Sequence, residues 1–277
     1  MKRLRLPLLL WTLSLFAVAQ GTALYVAYQI MVFEWPVGLQ VPLRDTGVQA
    51  VLQFLALFFA ATIAILLLSY LHRGKILFQI VFLAAVFFGL FRLFLVVFPL
   101  SLALVVSAIF LAAFLLLPAV WVHDLVVIAA AVGIGSVFGL QFHWLFAALL
   151  LLVLSLYDII AVYVTKHMIP LAHALIERQA SFVLFVPDRM RDFRARISQV
   201  QPGSGFLIIG GGDVVLPMIL TTSLVRVSIL ASIAAVCGML IGVVMNHLLI
   251  VTRRQPIPAL PLMVIGAVVG ALAAIGV

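Results

Sequence analysis

Residues 144–168 read WLFAALLLLVLSLYDIIAVYVTKHM. The run is apolar for long enough to cross a bilayer, and one carboxylate, Asp158, sits inside it. A membrane-crossing helix takes about 20 apolar residues, because the hydrocarbon core is ~30 Å thick and each residue rises about 1.5 Å. A membrane strand would alternate in polarity every second residue. This run does not alternate, so it predicts a transmembrane helix that carries a buried acid.

The same texture fills the chain. Of 277 residues, 67% are hydrophobic and only 9% are charged, with a mean hydropathy of +1.38. Soluble domains carry roughly 25% charged residues, so there is too little polar surface here to coat a water-soluble particle. The pattern predicts an all-α polytopic membrane protein with nine transmembrane helices: roughly 7–33, 48–71, 76–98, 100–122, 125–142, 144–168, 204–225, 227–251 and 258–277. Within 98–125 the division rests on Pro99, His123 and Asp124. Met1-Lys2-Arg3-Leu4-Arg5 with Ala17-Val18-Ala19 resembles a secretory leader, but the apolar run continues to Phe33, a length that suits a retained span.

The net charge of +8 could suggest a nucleic-acid partner, yet the basic residues form short clusters between apolar runs and no continuous basic face. No nucleic acid is expected. With the N-terminus inside, the inner segments hold Lys2, Arg3, Arg5, Arg73, Lys75, Lys166, Arg178, Arg189, Arg191, Arg194, Arg196, Arg253 and Arg254, which is 13 of 16 basic residues. Cytoplasmic loops carry such an excess. The expected orientation is N-terminus cytoplasmic and C-terminus outside, in a multi-pass protein of the cell membrane. Cys237 is the single cysteine, so no internal disulfide or cysteine metal site is possible. The chain divides into helices 1–5 as a scaffold (1–142) and helices 6–9 (143–277), with a cytoplasmic loop at about 169–203. The stretch Pro187–Arg196 in that loop reads as a solvated, mobile segment near anionic lipid.

Asp158 and Asp213 are the two acids placed well inside apolar spans; Glu34, Asp45, Asp124, Glu177, Asp188 and Asp192 fall in loops or at span ends. An acid at that depth costs about 2.5–3.5 kcal/mol on insertion scales. Asp158 stands eight residues before Lys166, and Asp213 eight after Gly205, so both lie ~12 Å below the same surface. Two carboxyls facing each other in a dry site share one proton near neutrality. The ionised member can take a proton from water while the protonated member donates to a peptide carbonyl. Such a pair needs no metal or cofactor. Buried acids also carry protons or cations in transporters and leak channels, and depth alone leaves that alternative open, as it does a structural role.

Local sequence adds detail. Gly210-Gly211-Gly212 precede Asp213; three glycines weaken a helix and let another backbone approach. Pro217 removes the bond to the Asp213 carbonyl. Ser155 lies near Asp158 on its helix, and Tyr157 either serves the acid or packs as an aromatic. Pro256, Pro258 and Pro261 keep the start of the last span extended, which suits pairing with an unfolded peptide as well as a simple helix start. Gly135/Gly139, Gly238/Gly242 and Gly266/Gly270 allow close helix contact, within the bundle or in a homo-oligomer.

Tyr157-Asp158, Gly210-Gly211-Gly212-Asp213 and Pro258-Ala259-Leu260, in that order on three spans, resemble the YD, GxGD and PAL motifs of the presenilin and signal peptide peptidase family. The stretch from Tyr157 to Met168 is most similar to archaeal presenilin homologues. The match covers spans six to nine; the first five agree in number and hydrophobicity. The resemblance implies a presenilin-like fold and an intramembrane aspartic endopeptidase that cuts transmembrane segments of other proteins. It implies Asp158 and Asp213 as catalytic acids, with Tyr157, Gly210, Gly211, Gly212, Pro258, Ala259 and Leu260 contacting substrate. The inferred orientation is that of presenilin and opposite to signal peptide peptidase. Two departures stand out: the loop after span six is short, and the middle GxGD residue is glycine. Type IV prepilin peptidases share a GxGD acid but fit the other two motifs poorly.

Overall fold

Apolar runs of this length must satisfy their backbone groups internally, and helices are the way to do so in lipid. The computed structural model describes residues 6–33, Gln49, Leu52, Gln53, Ala56, Ala60, 74–164, 182–200, 205–253 and 257–276. Among them are eight α-helices: α1 (Leu6–Val32), α2 (Gly74–Leu95), α3 (Leu100–Leu116), α4 (Val120–Gln141), α5 (Trp144–Ile159), α6 (Gly211–Ser223), α7 (Ile229–Arg253) and α8 (Leu260–Ile275). The expected span 48–71, the end of the expected sixth span at 165–168, and 169–181 and 201–203 of the expected loop lie, apart from the five single positions named, outside the described residues.

Four described helices are long and apolar enough to cross a membrane: Leu6–Val32, Val120–Gln141, Trp144–Tyr163 and Ile229–Ile250. Helix α4 is the hub. Its most apolar window is 78% buried against 39–44% for the other three, so α4 is enclosed while its neighbours keep an outward face. Glycines make this possible. A Cβ on Gly133 would collide with the Gly89 carbonyl of α2, and one on Gly139 with Thr222 of α6. Ser136 Oγ donates to the Ala23 carbonyl of α1 at 3.0 Å. Helix α1 runs unbroken through Ala17-Val18-Ala19, with Ala19, Ala23 and Ala27 in the core.

The glycine pairs in α7 and α8 act within the chain. Gly238 and Gly266 each face the other's carbonyl, Gly242 faces Leu262 and Gly270 faces Ala234, all at backbone contact. The two antiparallel helices are therefore locked together along their length.

Three expectations need correction. The break between the fourth and fifth spans falls at Leu117–Ala119, where Pro118 stops the helix, and not at His123 and Asp124. Those two residues are inside α4 and nearly fully buried. Second, residues 206–210 are not the start of a helix. They form β2 (Phe206–Gly210), paired antiparallel with β1 (Val183–Pro187) in the register Val183↔Gly210 to Pro187↔Phe206. Third, Pro187–Arg196 is folded. Turns of 3-10 helix at Met190–Arg194 and Ile197–Gln199 cover one face of the sheet, where Phe193, Ile197 and Val200 pack on Val183, Phe185 and Val120. Ile197 N–H donates to the Pro118 carbonyl at 2.9 Å, and Val120 N–H to the Ala195 carbonyl at 3.0 Å.

Candidate active site

Helix α5 carries Asp158 as its penultimate residue. A π-helical turn, Ile160–Val164, follows at once. Such turns occur mostly as single insertions and often at functional sites. Asp158 is half-buried, and its Oδ2 accepts from the Leu260 backbone N–H at 3.3 Å. Ser155 Oγ, one turn earlier, is buried without a partner among the described residues.

Helix α6 begins where β2 ends. Gly210 is its N-cap, which makes Asp213 the third helical residue. The Asp213 carboxylate turns back to the Gly210 backbone N–H, the return half of a capping box. A Cβ on Gly210 would stand 3.3 Å from Asp213 Oδ2, so glycine keeps the carboxylate uncrowded. Gly211 is buried, and a Cβ there would collide with Phe182. Gly212 is exposed and has nothing within 4 Å of its missing side chain. The three glycines thus differ: two are sterically required or constrained, and the third is not. Further along α6, Thr221 Oγ1 donates to Gln20 Oε1 at 2.7 Å and Thr222 Oγ1 to the Gly135 carbonyl at 3.1 Å. These bonds fix α6, and with it Asp213, against α1 and α4.

The sheet is positioned from the other side. Asp124 Oδ1 accepts from the Phe185 N–H at 3.0 Å. That N–H therefore points away from β2. Together with Gly211 N–H to the Phe182 carbonyl and Asp188 N–H to the Gly205 carbonyl, this sets the parity of the ladder. Leu207 and Ile209 bond to β1, while the N–H and C=O of Phe206 and Ile208 point to the opposite edge of β2.

Both acids line one cavity of about 210 Å³, and they are near enough for their charges to interact. Leu207, Ile208 and Ile209 of β2 form one wall; Ile257, Pro258 and Ala259 form another. Of the residues the sequence motifs single out, the cavity takes Asp158, Asp213, Pro258 and Ala259. Gly210, Gly211, Gly212 and the half-buried Tyr157 are not part of its lining, and Leu260 meets Asp158 through its amide while its side chain is buried in the core. Sequence reasoning missed Thr12 and Phe16 of α1 and Asn246 of α7, and took His247 of α7 only as a base that could pair with a buried acid; all four line the same cavity. Asn246 Nδ2 donates to the Ala259 carbonyl at 2.6 Å. A polar Asn-His pair inside an apolar run was the available signal for α7; nothing marked Thr12 or Phe16.

The arrangement is that of an aspartic hydrolase built within a helical membrane bundle. Residues 13–277 match the profile of the family described as signal-peptide peptidase, presenilin aspartyl protease, and the chain belongs to that family. It is an integral membrane protein of the intramembrane aspartyl protease type. Two solved structures of a presenilin family intramembrane aspartate protease share its fold. One, in a C222 crystal form, has a TM-score of 0.68 at 23% identity, covering 97% of this chain and 98% of that one. The other, in a P2 form, has a TM-score of 0.65 at 22% identity, covering 100% and 97%. No curated protein matches the chain. The transporter alternative finds no support among these relatives.

Proposed function

We propose that the chain is a GxGD-type intramembrane endopeptidase that hydrolyses peptide bonds within or near transmembrane segments of membrane proteins, with Asp158 and Asp213 as the catalytic pair. The observation that carries this reading is the shared cavity: two acids from separate helices open onto one space that strand β2 also lines, and the outer edge of β2 has no partner strand among the described residues. A water between the carboxyls loses a proton to the ionised member and attacks a peptide carbonyl. The protonated member donates to the carbonyl oxygen, and no step requires a further cofactor.

A transmembrane helix hides its backbone in its own hydrogen bonds, so it must unwind before it can be cut. The free edge at Phe206 and Ile208 offers replacement bonds to an extended peptide, as in strand addition. Ala259 and Pro258 border the same space, so Pro258-Ala259-Leu260 contributes both substrate contact and, through the Leu260 amide, the placement of Asp158. Gly210 and Gly211 act by leaving room. The N-terminus is inside and the C-terminus outside, in the cell membrane, by the distribution of basic residues.

The test is direct. Purified wild-type chain in liposomes is given a single-span protein, and products are identified by mass spectrometry. New termini inside the span are expected. Intact substrate after prolonged incubation, at a protein concentration where the chain is folded, would remove the proposal.

A further inference from the structure

Two polar side chains in the cavity have unmet hydrogen-bonding capacity. Asn246 is 6% and His247 7% exposed. Asn246 gives its amide N–H to Ala259, and this fixes which way the amide faces, since a carbonyl can only accept. Its Oδ1 is buried and, among the described residues, has no partner. His247 Nε2 is in the same condition. Buried polar atoms are nearly always bonded, and both residues line the cavity that holds Asp158 and Asp213. Around them the wall is apolar, with Phe16, Val243, Ile250 and Met263.

An acceptor and a ring nitrogen, both buried and side by side on α7, suit a ligand that brings one N–H and one C=O. An unwound peptide backbone has that chemistry. In an apolar cavity its freed N–H and C=O groups find little water and need partners from the protein. We propose that Asn246 and His247 form a polar subsite that holds the substrate backbone beside the acid pair, Asn246 Oδ1 accepting a peptide N–H and His247 Nε2, as its N–H tautomer, donating to a peptide carbonyl. The subsite deepens the protease reading and rests on it for the identity of the ligand. It places α7 among the substrate-holding elements, opposite the free edge of β2 in function: one wall bonds the peptide as a strand, the other takes groups that the strand leaves over.

The experiment separates the two ideas. Affinity is measured by fluorescence anisotropy in detergent in an Asp213→Asn background, so that turnover plays no part. The probe is a synthetic single-span peptide of about 25 residues, with analogues in which one backbone amide at a time is replaced by an ester. At one position the ester removes the N–H that Asn246 accepts. There it weakens binding about five- to tenfold, as the loss of one hydrogen bond does. The same ester has no effect when Asn246→Leu is present. Asn246→Asp, which keeps an acceptor but loses the bond to Ala259, retains the ester effect. His247→Phe weakens the all-amide peptide about five- to tenfold, and His247→Gln, whose amide can donate, restores most of it. Ester effects identical in the parent and Asn246→Leu at every position would overturn the subsite, as would full affinity in His247→Phe. Position-specific coupling in a wild-type chain that never cuts the peptide would uphold the subsite and remove the protease reading instead.

Discussion

Replacing Gly266 by alanine adds one methyl group at the closest point between α7 and α8. The new Cβ would collide with the Gly238 carbonyl oxygen and stand 2.8 Å from its carbon, where ordinary contact begins at 3.4 Å. The difference, 3.4 − 2.8, means that α8 must move away by about 0.6 Å or more. Leu260 begins the same helix ~9 Å below Gly266, so the shift reaches it with little loss. The bond from Leu260 N–H to Asp158 is already long at 3.3 Å, so a displacement of that size is enough to disturb it. Overpacking of this kind costs about 1–3 kcal/mol. A misplacement near 1 Å at a reacting group costs about 100-fold in rate, so a loss between about tenfold and 100-fold is expected here. The control is Gly21→Ala on α1, where nothing lies within 4 Å; there alanine is neutral or stabilising by up to about 1 kcal/mol. Thermal unfolding in detergent reads the first effect and cleavage of a single-span substrate the second. A Gly266→Ala chain with wild-type melting and wild-type cleavage would refute the claim that the glycine seam positions Asp158.

Three further changes test the site from other sides. Ile208→Pro removes an N–H that points off the free edge of β2, so cleavage should fall while melting holds, whereas Leu207→Pro breaks a ladder bond and should lower stability by about 1–3 kcal/mol; equal melting of the two chains would contradict the deduced register. Asp124→Ala strands the Phe185 N–H in the interior and should destabilise by about 1–3 kcal/mol, with Asp124→Asn closer to wild type; an unchanged melting curve for Asp124→Ala would show that the anchor of β1 lies elsewhere. Gly211→Ala meets Phe182 and should impair both folding and cleavage, while Gly212→Ala enters open space and should fold normally; the reverse order of stabilities would overturn the assignment of the two glycines.

That Asp158 and Asp213 would meet at one cavity was legible, because carboxylates inside apolar runs are expensive and few arrangements justify them. The helical bundle was legible for the same solvent reason. The strand Phe206–Gly210 was not, because a short run such as Phe-Leu-Ile-Ile is equally apolar as strand or helix, and the choice is made by a partner. That partner, Val183-Leu184-Phe185-Val186, lay in a segment whose nearby arginines gave it the look of a solvated loop. His123 and Asp124 misled because a polar pair usually marks a membrane boundary; here the pair is buried to hold β1, and Pro118 marks the boundary. The π turn after Asp158 has no residue signature at all. Asn246 could have been noticed, since an amide in an apolar helix needs a partner, but its bond to Ala259 depends on how α7 and α8 pack.

The most direct trial of the central claim compares wild type, Asp158→Asn, Asp213→Asn and the double variant in the same reconstituted cleavage assay. If both carboxyls work on a single water molecule, either replacement alone abolishes turnover and combining them makes matters no worse. Steady cleavage by either single variant, at more than a small fraction of the wild-type rate and in a folded chain, would contradict the account.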